Sequence, residues 1–81
     1  MNENYRLAMQ GSIMIDRFYS YKYDGLGNIT LIDNMTCRTQ FLQGDDARQF
    51  ERIAIRHIEQ GKDPLFIKPL LDEMMGDNHE N

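Results

Sequence analysis

The stretch Gly44-Asp-Asp-Ala-Arg-Gln-Phe-Glu-Arg-Ile-Ala-Ile-Arg-His-Ile-Glu-Gln-Gly61 decides how this chain folds. Ala47, Phe50, Ile53, Ala54, His57 and Ile58 fall on one stripe at i, i+3, i+4 spacing, which predicts a single amphipathic helix over about 46–60 with that stripe laid on a core. Both ends are marked. Asp45 or Asp46 is placed to accept hydrogen bonds from the first free amides, and both carboxylates favour the positive end of the helix dipole. Arg56 and His57 lie near the negative end, and Gly61 stands where a left-handed residue stops a helix. On the opposite face Arg48, Arg52 and Arg56 repeat every four residues with Ile55 among them, while Glu51 and Glu59 are near enough to pair. An apolar side chain ringed by arginines reads as an interface anchor, so Arg48, Arg52, Ile55 and Arg56 form a candidate protein-binding surface.

A helix of this kind needs a partner layer, and the residues before it supply one. Ile13 to Tyr23 is rich in β-branched and aromatic residues and predicts one long strand, with Ile13, Ile15, Tyr19, Tyr21 and Tyr23 on its buried face. Asp24-Gly-Leu-Gly-Asn28 predicts a hairpin turn, because glycine supplies positive φ and Asp and Asn tolerate it. Ile29 to Asp33 returns as a strand, Asn34-Met35 is a tight connection, and Thr36 to Leu42, with Cys37 beside Arg38, is the next strand. Tyr5, Leu7 and Met9 alternate and favour a short first strand, although Leu7 and Ala8 also suit a helical turn. The fold class is therefore α+β: a three- or four-stranded antiparallel meander covered by the helix.

Beyond Gly61, Asp63 and Pro64 predict a helix cap and first helical residue, and Pro69 predicts a break near Lys68. Leu65, Phe66, Ile67, Leu70, Leu71, Met74 and Met75 form a short C-terminal helical segment that either completes the core or meets a partner. Residues 1–76 are expected to make one domain, with 77–81 a disordered acidic tail.

Eighty-one residues bury a small core and leave little room for a deep cleft. Thirteen acidic against nine basic residues, a net charge of −4, argue against a dedicated nucleic-acid binder. One cysteine, Cys37, excludes an intramolecular disulfide and a four-thiolate zinc site and suits a reducing compartment. No run is apolar enough for a membrane helix, and the polar start lacks the pattern of a secretory signal, so a cytoplasmic protein with no membrane partner is expected.

Candidate chemistry is sparse. Asp45 and Asp46 are explained by capping, and His57 on the apolar stripe lacks a nucleophile or second ligand. His79 and Asp77 on a flexible end make a poor metal site, and Cys37 reads as a small strand hydrophobe even with Arg38 beside it. The Tyr19, Tyr21 and Lys22 pattern resembles base-stacking platforms, but the tyrosines are better used as the sheet face under the helix. Phe18, of the other parity, marks a second contact surface if it is exposed. No catalytic residue, cofactor or metal ligand is assigned.

The layout resembles that of small orphan proteins encoded by bacteriophages and mobile elements, including anti-CRISPR inhibitors. The resemblance lies in a short acidic chain, a meander around Tyr23-Asp-Gly-Leu-Gly-Asn28, and a strand running through Phe41-Leu-Gln-Gly-Asp-Asp-Ala47 into one amphipathic helix. It implies a stoichiometric protein that binds and blocks a host protein or ribonucleoprotein complex in the host cytoplasm without catalysis, and it transfers no functional residue. The expected function is thus a non-catalytic protein-binding inhibitor or adaptor, with Arg48, Arg52, Ile55, Arg56 and Phe18 as contact residues. The alternative is a homodimer built on Ile55 or the Leu65–Met75 segment, and behind it stands single-stranded nucleic-acid binding through Tyr19, Tyr21 and Lys22.

Overall fold

A computed structural model describes residues 3–76; the expectations for the tail 77–81, and with them His79 and Asp77, lie outside the described residues. The chain runs α1 (Glu3–Met9), β1 (Ile13–Met14), β2 (Tyr19–Tyr23), β3 (Ile29–Asp33) and β4 (Thr39–Leu42). It continues into a helix over 45–59, here α2, then a 3-10 turn Pro64–Ile67 and α3 (Lys68–Met75). The four strands form one antiparallel sheet in the order β1-β2-β3-β4, the α+β meander that the alternation predicts.

Three local expectations are corrected. Glu3–Met9 forms a helix where the alternation of Tyr5, Leu7 and Met9 favours a strand, because Glu, Arg, Leu, Ala and Met favour helix and the end of α1 is satisfied from outside. Ser12 Oγ donates to the Met9 carbonyl at 2.9 Å, and Lys22 Nζ reaches the Leu7 carbonyl at 3.1 Å. The long strand Ile13–Tyr23 is cut into β1 and β2, which pair with each other through Ile13↔Tyr21 and Met14↔Ser20. Asp16 makes that cut, its Oδ1 accepting from the amides of Phe18 at 2.8 Å and Tyr19 at 3.0 Å, bonds that compete with a straight ladder. Finally, the third strand of the meander begins at Thr39, and Cys37 lies in the connection with φ 66°. The Cys37 amide donates to the Asp33 carbonyl, and Asp33 Oδ1 takes the amides of Met35 and Thr36, closing a loop of four residues.

The register sets two sheet faces. One carries Tyr19, Tyr21, Ile29, Leu31 and Leu42, all buried under α2 and α3. The Tyr21 ring meets Phe50 of α2 edge-on with centroids 5.4 Å apart, and Tyr19 Oη donates to Asp72 of α3 at 2.6 Å. The other face carries Ser20 and Ile32, both fully buried, and α1 crosses it against β2, β3 and β4. Ser20 Oγ donates to Asn34 Oδ1, so its polar group stays bonded inside.

The far end of α2 follows the sequence closely. Gly61 adopts φ 74°, its amide donates to the Ile58 carbonyl, and the Lys62 amide reaches the His57 carbonyl, the double bond that closes a helix on a left-handed residue. At the near end Gly44 is the cap, with no side-chain capping bond, and Asp45 pairs instead with Arg48. The two aspartates therefore act on the helix dipole and on Arg48, not as the acceptors expected of them. Asp63 caps the following turn, accepting from the Leu65 amide at 3.0 Å, and the break falls at Ile67–Lys68, where Pro69 sits in the first turn of α3.

Candidate functional site

The middle of α2 does not keep the period its sequence suggests. Residues Phe50–Ile55 are π-helical between α-helical Asp45–Gln49 and Arg56–Glu59, and the Arg56 amide reaches the Glu51 carbonyl five residues back. The wider turn brings Phe50 and Ile55 to the same side. Ile55 is 7% exposed and belongs to the core, whereas Ile53 is 39% exposed. Ile55 is thus no anchor among the arginines, and the homodimer built on it loses its basis; Ile53 takes the outward place.

Arg48, Arg52 and Arg56 are exposed as expected. Arg48 is engaged by Asp45, while among the described residues no ion pair holds Arg52 or Arg56. One turn on from Ile53, the half-buried His57 donates from Nε2 to the Asp63 carbonyl at 2.8 Å. Its ring lies 6.5 Å, edge-on, from that of Phe66. Phe66 is 79% exposed and Leu65 58%. Ile53, Leu65 and Phe66 are thus exposed apolar residues on the two elements that the His57–Phe66 contact joins, α2 and the turn that follows it, and Arg52 and Arg56 are exposed guanidinium groups next to Ile53 and His57 along α2. The outward positions of Arg52 and Arg56 are legible in the sequence; the spacing of Leu65 and Phe66 gives no direction, since a 3-10 turn, with three residues per revolution, distributes side chains differently from the α-helix it suggests.

Phe18 is half-buried and packed against the core. Cations cover its ring, Arg17 at 4.8 Å and Lys68 at 5.1 Å from the centroid, and Lys68 also pairs with Asp72 at 3.0 Å. It seals the end of the core between β2 and α3 and does not stand out as a contact residue. Tyr19 and Tyr21 are 2% and 6% exposed, which removes them as a base-stacking platform. Tyr23 is exposed at the sheet margin, its Oη donating to Glu51 at 3.2 Å; partial desolvation first, and that bond second, push its pKa up to about 12.

Among the described residues no three of His, Cys, Asp and Glu cluster to hold a metal, and no helix is long and apolar enough to cross a membrane. A cavity of about 270 Å³ opens between α1 and the β2–β3 hairpin, lined by Leu7, Ala8, Lys22, Tyr23, Asp24 and Thr30, below the ~300–1,000 Å³ of small-molecule sites. No family model, curated protein or solved structure matches the chain.

Proposed function

We propose that this chain is a non-catalytic α+β binding module that meets a partner protein through Ile53, His57, Leu65 and Phe66, with Arg52 and Arg56 addressing acidic groups on that partner. Phe66 carries the reading. A large aromatic is 79% exposed on a turn that is held rather than loose. Asp63 caps it, the Phe66 amide donates to the Asp63 carbonyl, His57 donates to the same carbonyl, and Pro64 limits φ at its start. An aromatic presented in one conformation loses little entropy on binding, and aromatic and arginine side chains are the residues that dominate interface energies. In its finer form, which rests on the layout alone, the module is an inhibitor of the anti-CRISPR kind that acts by stoichiometric binding to a host complex in the cytoplasm.

Affinity capture with the wild-type chain, Phe66→Ser and Leu26→Ser tests this, Leu26 being an equally exposed apolar residue at the tip of the β2–β3 hairpin. The expected outcome is a stoichiometric partner held by wild type and Leu26→Ser and lost by Phe66→Ser, with the melting temperature of all three unchanged. Equal retention by Phe66→Ser, or no stoichiometric partner, overturns the assignment.

A further inference from the structure

The sheet has two edges, and they differ. β1 is two residues long, whereas β4, Thr39-Gln-Phe-Leu42, carries no charge and no proline, the devices that blunt an edge against another strand. Its pairing with β3 fixes which groups are spent. The Asp33 amide donates to the Arg38 carbonyl, so the alternation of an antiparallel ladder directs that carbonyl, Gln40 and Leu42 towards β3 and leaves the amides and carbonyls of Thr39 and Phe41 pointing away. Carried one residue past the strand, the same alternation turns those of Gln43 outward as well. Phe41 is 52% exposed on the face crossed by α1.

The geometry points to a second copy of this chain as the occupant of that edge, paired antiparallel through β4 about a two-fold axis at Phe41. Charge singles out a second copy. Arg38 precedes the strand and Asp45-Asp46 follow it, so an antiparallel copy brings the cation of one protomer beside the acidic end of the other at both ends of the seam. The two groups share a side of the sheet: Arg38 Nη2 donates to the Met75 carbonyl of α3, and Asp46 opens α2, which lies over the same face. The register follows from hydrogen bonding. Pairing Phe41 with Phe41 and Thr39 with Gln43 uses all the outward groups of these three residues, six bonds in all by the rule that opposed residues exchange two, whereas an axis through Gln40 or Leu42 uses fewer. In that register the two Phe41 side chains lie directly opposite, roughly 5 Å apart at Cβ, and cover each other. The product is a continuous eight-stranded sheet. Its seam is short, so the association is weak and reversible.

Light scattering from micromolar to millimolar concentration, with wild type, Phe41→Lys and Phe66→Ser, tests the proposal. Wild type and Phe66→Ser are expected to pass together from monomer to dimer. Phe41→Lys, which opposes two cations at the axis, weakens the dimer by about tenfold or more without moving the melting temperature of the monomer. Isotope-filtered NOEs between labelled and unlabelled protomers then fall at Thr39, Phe41 and Gln43. A wild-type monomer at millimolar concentration, NOEs confined to another surface, or self-association indifferent to Phe41→Lys overturns it. Because Phe66→Ser leaves dimerisation intact, failure here is separate from failure of the Phe66 surface.

Discussion

Cys37 holds φ at 66°, a conformation that costs a residue with a Cβ about 1–2 kcal/mol and glycine almost nothing. Cys37→Gly is therefore expected to raise stability by about 1 kcal/mol and to move the denaturant midpoint upward. Cys37→Val, branched at Cβ, is expected to lower it. The sequence reads Thr36 to Leu42 as a strand of mixed parity and so places this residue inside it. What overrides that reading is Asp33, whose carboxylate gathers two amides and shapes the loop, a tertiary consequence of where β3 ends. Tyr23 supplies a second test. Its pKa is raised from 10.0 to about 12, and that of the buried Tyr21 is raised by burial first and Glu59 second. Protons are thus held more tightly by the folded state, so the stability that Tyr23 contributes is complete below pH 10 and is lost as pH rises through about 12, and Tyr21 acts in the same direction. Tyr23 is 42% exposed, and solvent screening keeps its share small. Ultraviolet titration against Tyr23→Phe should assign the late tyrosinate, and Glu51→Gln should move it towards 10.0.

Helix α2 shows how far periodicity carries and where it stops. The stop at Gly61, the length and the inward positions of Ala47, Phe50 and Ala54 are legible because glycines bound the segment and the apolar stripe is regular up to that point. After Phe50 the run Ile53-Ala-Ile55 offers two isoleucines for one inward place. A strict 3.6 period selects Ile53; the π-helical turn selects Ile55, and nothing in composition distinguishes them. The energetics do. Ile55→Ala removes core packing and is expected to cost about 2–4 kcal/mol, whereas Ile53→Ala, on the outer face, should cost under about 1 kcal/mol. Chemical denaturation of both variants measures the phase of the helix directly, and equal costs would contradict the π-helical segment. The same shift explains why the candidate site was only half visible: the arginines keep their outward positions through it, while the apolar residue beside them changes identity.

At the scale of the molecule, the segment after Gly61 completes the core and still leaves part of its apolar material exposed. Ile67, Leu71 and Met75 enter the core, and Tyr19 ties β2 to α3 through Asp72. Leu65 and Phe66, on the same segment, stay outside. The proposed binding surface therefore depends on a docking that the core must hold in place. A chain of 81 residues has a stability of about 4–12 kcal/mol. Burying three side chains of this kind contributes about 5–9 kcal/mol, a sum of the same size as the whole. Leu71 is 1% exposed, and Leu71→Ala is expected to cost about 2–5 kcal/mol and to lower the melting temperature sharply while leaving unfolding a single transition. Ending the chain at Gly61 should abolish cooperative unfolding altogether. If α3 were instead an appendage, Leu71→Ala would leave the main transition in place and melt the segment separately, and Phe66 would lose its fixed presentation without loss of the sheet. Thermal unfolding followed by far-ultraviolet circular dichroism and by amide exchange at Ile67 and Leu71 separates the two, and one coincident transition is the outcome that the shared core requires.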